Sequence, residues 1–400
     1  MSKKLALISG GLALYLLTAG GSFAFFSRSQ GEASNFKSPR SEDTNQTTGF
    51  KRDPSLPRNE ACPINGAYYT KPEREMWEKR RPLGVMIENS KVARPQSGLS
   101  FADVIYEAIA EGGIPRFLAV YYCQSPEYVG PVRSARTYFL DWISEYGNSP
   151  LYAHVGGANT PGPANALGQI DSYGWKLYND LDNFSLGLPA YILDTDRLGP
   201  DTAIEHSKYG IPARLWESAA KRGLTNVEID DRTSKELAWD STFTLWKFKD
   251  DVALADRPQS FIADFSLSGV QTSYTGDYTI RWQYDKDSNS YLRENGGKAF
   301  TDMNNNQQVL AKNVILQFMT MSIANDGYNE EGHGTHTLYG TKGQGKAKIL
   351  MDGKVTEATW TKKTRLDRTK FFDITGKEIA LNRGLTWIEI LPIGQAVTVQ

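Results

Sequence analysis

Three short apolar runs within residues 81–136 constrain the fold of this chain more than any other feature. They are residues 83–87 (LGVMI), 104–110 (VIYEAIA) and 117–122 (FLAVYY). Each run is too short for a stable helix but has the usual length of a buried strand. The Glu-Gly-Gly sequence at residues 111–113 separates the last two runs, and paired glycine suits a turn with positive φ. The pattern therefore predicts strands, two of them joined as a hairpin.

Helical patterns alternate with these strands up to about residue 226. Residues 137–147 (TYFLDWISEYG) have helical spacing, and so do residues 211–222, which end at Gly223. Alternation of strands and helices predicts an α/β-type first domain with a mixed sheet over residues 61–226.

The sequence changes in character from about residue 227. Short β-rich runs such as residues 278–284 (YTIRWQY), 313–319 (NVILQFM) and 386–391 (TWIEIL) lie between turns of Asp-Gly, Asn-Gly and Gly-Gly type. Such runs are typical of antiparallel hairpins. We therefore predict a β-rich antiparallel second domain over residues 227–400, and an α+β fold class for the whole chain.

The N-terminus indicates the compartment. Lys3 and Lys4 precede residues 5–26, which carry no charge. This length exceeds the roughly 7–15 residues of a signal-peptide core and reaches the ~20 residues of a spanning helix. We therefore expect residues 1–26 to be a single-pass membrane anchor, with a cleaved signal segment as the alternative. Positive charge before the segment predicts that the body lies outside the cell membrane. Residues 27–60 are polar and predict a disordered tether.

The two cysteines, Cys62 and Cys123, predict a disulfide, because an oxidising compartment favours pairing of an even number of cysteines. Two unrelated buried thiols are the alternative.

Charge and motifs argue against several function classes. The chain has 45 basic and 46 acidic residues, and this balance argues against nucleic-acid binding. GTKGQGKA at residues 340–347 lacks the final Ser/Thr of a phosphate-binding loop, and GHGTH at residues 332–336 lacks the helical zinc spacing. We expect no cofactor and no metal.

Several motifs occur together, in the same order, in one family of bacterial proteins. They are RPLGVMIEN, ARPQSGL, ADVIYE, AEGGIPRF, GPVRSAR and HVGG in the first half, and GQGKAKILMDGK, FFDITGKEI and RGLTWIEILP in the second. On these motifs, residues 62–400 resemble the YerB-like family of bacterial envelope lipoproteins, a two-part domain of unknown function. The resemblance implies an extracytoplasmic protein with an α/β first domain and a β-rich second domain. It implies no particular reaction.

The chain departs from that family at the end of the apolar segment. Family lipoproteins carry a lipid-attached cysteine there, whereas this chain has LLTAGG at residues 16–21 and its first cysteine is Cys62. An uncleaved transmembrane anchor is therefore expected in place of a lipid.

Four arginines are candidate ligand-binding residues: Arg94, Arg116, Arg133 and Arg136. Arg133 and Arg136 are three residues apart at an expected helix start, so both side chains can project to one side. Guanidinium groups bind carboxylate or phosphate in two-point geometry, and helix N-termini attract anions. The alternative is a set of internal salt bridges to Glu88, Glu107 and Glu111, and both interpretations can hold at once.

Glu107 and Glu111 are candidates for a catalytic carboxylate pair. Glycan hydrolysis needs an acid and a base or nucleophile about 5 or 6.5–9.5 Å apart, and ion pairing is the alternative role.

His154, at the end of a predicted strand, is the third catalytic candidate. With Asp194, Arg197 and His206 it could form one cleft, because ligand sites of α/β domains often lie at strand ends. Structural hydrogen bonding is the alternative for each histidine.

The function predicted first is binding of an anionic or sugar-containing ligand of the cell envelope by a membrane-anchored protein. An envelope glycan hydrolase and a scaffold for envelope protein complexes are the alternatives. The expected partners are the membrane, through residues 5–26, and an envelope ligand.

Overall fold

The computed structural model describes residues 53, 55–230, 232–267, 277–328 and 334–400. The predicted anchor, and the predicted tether up to residue 52, lie outside the described residues. Among those that are described, no helix is long and apolar enough to cross a membrane.

The helices are short. The α-helices of the described residues are α1 (Lys71–Trp77), α2 (Thr137–Ile143), α3 (Ala166–Ser172), α4 (Asn183–Leu186) and α5 (Pro212–Lys221), with 3-10 turns at Lys91–Ala93, Leu99–Phe101, Ile204–His206, Trp239–Thr242 and Leu254–Asp256. Local signals explain where they begin. Thr70 and Glu73 form a capping box at α1, and Pro212 occupies the first turn of α5, where its missing N–H is not needed. The helices predicted within residues 137–147 and 211–222 are confirmed as α2 and α5.

Strands make up most of the rest. Those of the first half are β1 (Glu60–Ala61), β2 (Tyr68–Tyr69), β3 (Leu83–Glu88), β4 (Val104–Ile109), β5 (Pro115–Tyr121), β6 (Leu151–His154), β7 (Asp180–Asp182), β8 (Tyr191–Leu193), β9 (Lys208–Gly210) and β10 (Val227–Ile229). Those of the second half are β11 (Glu236–Ala238), β12 (Phe248–Lys249), β13 (Ile262–Ser266), β14 (Thr279–Asp285), β15 (Ser290–Asn295), β16 (Lys298–Ala299), β17 (Thr301–Asp302), β18 (Gln307–Gln308), β19 (Leu310–Ala311), β20 (Asn313–Met319), β21 (Met321–Ile323), β22 (Thr337–Tyr339), β23 (Gly343–Met351), β24 (Lys354–Lys362), β25 (Lys370–Phe372), β26 (Leu381–Asn382), β27 (Thr386–Pro392) and β28 (Thr398–Val399).

One ten-stranded mixed sheet runs through the protein in the order β25-β24-β23-β20-β27-β4-β5-β3-β6-β7. The three apolar runs form its strands β3, β4 and β5. The predicted hairpin is confirmed, because β4 and β5 pair antiparallel. Gly112 and Gly113 between them have φ of 58° and 79°, conformations that glycine adopts without a steric penalty.

Strand β27 joins the two halves of the chain. It lies between β20 and β4 and is parallel to both. The second half is therefore not purely antiparallel, although the expected hairpins occur at β13–β14–β15 and β23–β24–β25. Strand β27 is buried along six of its seven residues, which is typical of a strand that is covered on both faces.

Each face of the large sheet is covered by a different layer. Ile105, Phe117 and Trp387 share one apolar cluster with residues of α5 and of a second sheet built around β13, β14 and β15. Tyr106 and Leu118, on the other face, share a second cluster with α2 and α3. Successive side chains of β4 and β5 therefore serve opposite layers, as the pleat of a strand requires.

The predicted disulfide is confirmed. Cys62 and Cys123 are bonded, with their Cα atoms 6.1 Å apart. Both are buried. The bond ties the segment after β1 to the end of β5.

Candidate functional site

Several predicted site residues meet beside Glu88 at one end of the interior strands β3 and β5 of the large sheet, in a group that we call the arginine edge. It comprises Glu88, Glu111, Arg116, Arg133, Arg136 and His206. Glu88 ends β3 and lies opposite Arg116 of β5 in the strand register. Glu111 lies in the β4–β5 turn, and Arg136 caps the start of α2.

Glu111 is shared by two guanidinium groups. Its Oε2 lies 2.8 Å from Nη2 of Arg116, and its Oε1 contacts Nη2 of Arg136. Burial lowers the pKa of both arginines. A guanidinium group nevertheless stays protonated in proteins at physiological pH. The side chains are 7–11% exposed, so these are semi-buried ion pairs rather than surface ones.

Glu88 contacts three polar side chains at the other end of the arginine edge. It accepts a hydrogen bond from Ser90 Oγ at 2.7 Å and lies 2.9 Å from His206 Nδ1 and 3.3 Å from Arg133 Nε. Burial alone would raise the pKa of Glu88, but His206 and Arg133 outweigh burial and hold the pKa below its ordinary value. Glu88 is therefore ionised at neutral pH.

A cavity of about 440 Å³ opens beside this end. His206 lines it together with residues 198–203 and Val92. Arg133 reaches the same loop, since its Nη1 donates to the carbonyl oxygen of Glu205 at 3.2 Å. The side chain of Arg133 is 26% exposed, the most of the three arginines of the edge.

His336 borders the edge from the second half of the chain. Its Nδ1 lies 2.7 Å from Asp326 Oδ2, its Nε2 lies 3.8 Å from Glu111, and its ring stacks on Tyr328 at 4.0 Å. His333, the other histidine of the GHGTH motif, lies outside the described residues.

Glu107 lies on the opposite face of the sheet, in a fully buried ionic cluster. Oε2 of Glu107 lies 2.7 Å from Nη2 of Arg293. Oε1 of Glu389, on the neighbouring strand β27, lies 2.7 Å from Nη1 of the same arginine. Asn89 donates to Glu107 at 3.0 Å, and the Arg293 guanidinium lies 4.5 Å from the ring centre of Trp387. None of the three charged side chains is exposed.

One proton is expected in this cluster, because two carboxylates face a single guanidinium. Burial raises the pKa of Glu107 well above its ordinary value, and the neighbouring Glu389 raises it further, against the charge of Arg293. Burial also raises the pKa of Glu389. Both shifts favour one shared proton, and therefore a single negative charge, on the pair.

The predicted carboxylate pair is therefore not brought together. Glu107 binds Arg293 beneath one face of the sheet, whereas Glu111 binds Arg116, which alternates with the inward-facing Phe117 and points to the other face. Glu107 and Glu111 are four residues apart in the sequence, but the turn after β4 places their side chains in different environments.

His154 forms a third, separate cluster. Its Nε2 donates to Asp180 Oδ1 at 2.6 Å and its Nδ1 to the Gly156 carbonyl at 2.7 Å. Both ring nitrogens face acceptors, an arrangement that favours the protonated imidazolium. Burial alone would lower the pKa of His154, but the hydrogen bond and charge of Asp180 raise it above its ordinary value. The ring is fully buried and lies in no cleft with Glu107 or His206.

We expect His154→Gln to destabilise the protein in a pH-dependent way. The folded pKa is raised, so the stabilisation is complete below the unfolded pKa of about 6.5 and is lost as pH rises through the folded value. The loss should be roughly 1.5–3 kcal/mol at pH 6 and smaller at pH 9. Chemical unfolding of both proteins at the two pH values measures the difference.

His336→Gln is the matched comparison. Burial lowers the pKa of His336, and nearby Arg136 lowers it further, against the hydrogen bond to Asp326. Its stabilisation should therefore be complete above about pH 6.5 and should be lost as pH falls. Equal pH trends in the two variants would contradict the assignment of charge to His154.

The remaining candidates have structural partners. Arg94 donates to Asn89 and to the carbonyl oxygen of Asp277, away from the arginine edge. Asp194 accepts from the backbone N–H of Arg197, whose side chain donates to Ser97 and Asn304. These hydrogen bonds of Asp194 and Arg197 stabilise the loop after β8. Of the three residues predicted to form a cleft with His154, His206 alone lies in the arginine edge.

Sequence reasoning missed Arg293 and Glu389. A weak signal existed in both strands: Arg293 shares the buried face of β15 with Tyr291 and Asn295, and Glu389 lies within the apolar run of β27. A charged residue at an inward position of a strand indicates a buried partner. Which partner it is depends on strand order, which periodicity does not reveal.

Comparison with known families gives two consecutive matches. The family described as "Protein of unknown function (DUF3048) N-terminal domain" matches residues 69–225. The family described as "Protein of unknown function (DUF3048) C-terminal domain" matches residues 270–388.

Comparison with individual proteins gives matches that cover most of this chain. The chain is 29% identical to "Putative lipoprotein YerB" of Bacillus subtilis (strain 168) over 340 residues, which is 85% of this chain and 88% of that protein. The crystal structure of YerB from Bacillus subtilis superposes with a TM-score of 0.65 and 23% identity, covering 86% of this chain and 100% of that one. This likeness supports the fold described above.

Proposed function

The chain belongs to the DUF3048 family, and from this premise we propose that it is an envelope-associated protein that binds an anionic component of the cell envelope at the arginine edge. The similarity to a protein named as a lipoprotein supports an envelope-associated role. We further propose that residues 5–26 anchor the chain with its body outside the membrane, because this uncharged segment follows two lysines.

The charge balance of the arginine edge carries the proposal. Three guanidinium groups, of Arg116, Arg133 and Arg136, face two carboxylates, of Glu88 and Glu111. These five groups carry one positive charge in excess. The carboxylate of Glu205, which is 59% exposed, also acts on Arg133, the most exposed of the three arginines. A phosphate or carboxylate group of a ligand entering the adjacent cavity would complete the pairing in two-point geometry.

We expect Arg133→Gln to weaken binding of an anionic probe about tenfold, because one charge-assisted contact is lost (roughly 1.4 kcal/mol). The probes are a fluorescent glycerol-phosphate oligomer and a carboxylate-bearing glycan, titrated against the full-length chain in detergent by fluorescence anisotropy. The pair distinguishes a phosphate ligand from a carboxylate ligand.

Arg214→Gln is the control. Arg214 is an exposed arginine of α5 that pairs with Glu217 at 2.7 Å, away from the edge. Its replacement removes the same charge and should change affinity less than twofold. Equal loss in both variants would indicate non-specific attraction, and wild-type affinity in Arg133→Gln would refute the proposed site.

The two alternatives have less support in the described part of the chain. A glycan hydrolase requires accessible acid and base groups, whereas Glu107 and His154 are fully buried and lie in different clusters. A scaffold for envelope protein complexes would present a contiguous exposed apolar patch in place of a charged site.

A further inference from the structure

A lysine, an aspartate and an asparagine from three distant parts of the chain meet in a group that we call the lysine–asparagine triad. It comprises Lys249, Asp352 and Asn382. Lys249 ends β12 and lies directly opposite Asn382, which ends the parallel strand β26. Asp352 lies in the turn between β23 and β24. None of the three residues belongs to the arginine edge.

Each member of the triad contacts the other two. Nζ of Lys249 donates to Oδ1 of Asn382 at 2.6 Å, and it lies 2.6 Å from Oδ2 of Asp352. The second oxygen of that carboxylate, Oδ1, accepts from Nδ2 of Asn382 at 2.7 Å. The carboxylate therefore bridges the amine of the lysine and the amide nitrogen of the asparagine.

The amide and the carboxylate are buried and are held in place by further hydrogen bonds. The side chain of Asn382 has no exposed surface, and its backbone N–H and carbonyl oxygen both bond to the side chain of Asn313, at 2.9 and 2.8 Å. Asp352 is 7% exposed and also accepts from Asn289 at 2.8 Å. The side chain of Lys249 is 32% exposed, but its Nζ contacts this buried pair. Such fixed orientation of reacting groups lowers the barrier of a reaction between them.

The triad contains more than a salt bridge requires. Lys249 and Asp352 would suffice for a salt bridge, whereas the buried amide of Asn382 places an electrophilic carbonyl group beside a nucleophilic amine. Burial alone would raise the pKa of Asp352, but hydrogen bonds from Asn289, Lys249 and Asn382 outweigh burial and lower the pKa. The carboxylate form can accept a proton from the amine, as a general base does.

We propose that Lys249 and Asn382 become joined by an isopeptide bond, with Asp352 as the group that carries the proton. Asp352 removes a proton from the ammonium group, and the freed lone pair of Nζ forms a bond to Cγ of Asn382. The bond between Cγ and Nδ2 breaks, and Nδ2 receives that proton from Asp352 and leaves as ammonia. Nζ loses its second proton to water. No atom is oxidised or reduced, and no co-reactant is needed.

The bond would connect two residues that are 133 positions apart in the chain. Like the disulfide, such a cross-link restricts the unfolded chain, but reducing agents do not break an amide bond. The reaction takes place once in each molecule, so it needs no rapid turnover. This inference does not depend on the arginine edge or on any ligand.

Peptide mass mapping of the wild-type protein tests the proposal. The full-length chain in detergent is reduced, alkylated and digested with trypsin. The peptides that contain Lys249 and Asn382 should be found joined in most molecules. The joined pair should be lighter than the two separate peptides by one molecule of ammonia, and the chain should be uncleaved after Lys249. Tandem mass spectrometry locates the bond.

Two variants should prevent the bond, and a third is the matched control. Asp352→Asn keeps the shape of the side chain, and asparagine tolerates the φ of 55° at this position, so the joined fraction should fall about tenfold or more. Lys249→Arg removes the amine and should give no joined peptide. Lys312→Arg should leave the joined fraction unchanged, because Nζ of Lys312 contacts Asp251 at 2.5 Å and the carbonyl oxygen of Ser288 at 2.8 Å.

Separate peptides of full mass from the wild type would overturn the proposal and would show an ordinary salt bridge. A lighter Asn382 peptide without a partner would also overturn it, because that mass indicates a cyclic imide at Asn382. A bond that persists in Asp352→Asn would refute the role of Asp352. Circular dichroism confirms that each variant is folded. Because no ligand is added, the result is independent of anion binding at the arginine edge.

Discussion

Arg293→Met is expected to lower the free energy of unfolding by about 3–5 kcal/mol. Arg293 lies between Glu107 and Glu389, 2.7 Å from each, and all three side chains are fully buried. Methionine preserves much of the volume but leaves a buried negative charge without a partner. Denaturant unfolding monitored by circular dichroism measures the change.

Arg281→Met is the matched control for Arg293. Arg281 lies on β14 and pairs with Asp264 at 2.7 Å, but its side chain is 45% exposed. An exposed ion pair contributes about 0–1 kcal/mol, so this variant should be nearly as stable as the wild type. Similar losses in the two variants would contradict the importance of burial.

Glu107→Gln separates charge from packing in the same cluster. Burial and the neighbouring Glu389 raise the pKa of Glu107 well above its ordinary value, which favours the neutral carboxyl. An uncharged amide of the same shape should therefore cost less than about 1.5 kcal/mol. A loss as large as that of Arg293→Met would show that Glu107 carries the negative charge.

Replacing both Cys62 and Cys123 by serine is expected to lower the free energy of unfolding by about 4 kcal/mol. The two cysteines are 61 residues apart, and a cross-link over that distance restricts the unfolded chain strongly. Each single serine variant should lose nearly the same amount, because each breaks the same bond. Thermal and denaturant unfolding measure the loss.

Reduction provides the control for the disulfide. Wild type unfolded with a reducing agent present should match the double variant, and the double variant should not respond to the reducing agent. Cys62 is 2% exposed and Cys123 6%, so reduction should be slow until the protein opens. A stability difference between the reduced wild type and the double variant would instead assign part of the effect to packing around the sulfur atoms.

Local elements of the fold were predictable because their signals are local. The apolar runs became β3, β4 and β5, and the glycine pair became the turn between the last two. The arginine edge was partly predictable for a related reason, since Glu88, Glu111, Arg116, Arg133 and Arg136 lie within one stretch that the hairpin folds together. The contact between Arg293 and Glu107 was not predictable, because the two residues are 186 positions apart in the chain.

The sequence by itself determined the short strands, the helix starts, the cysteine pair and the family. Each of these depends on residue spacing or on motifs that are read along the chain. Only the tertiary structure decided that β27 inserts between β20 and β4, which brings Glu389 beside Glu107. It alone separated Glu107 from Glu111 and formed the cavity that lies between α2, α3 and β22. The physical reason is that strand order and helix packing follow from burial over the whole protein, which no local pattern encodes.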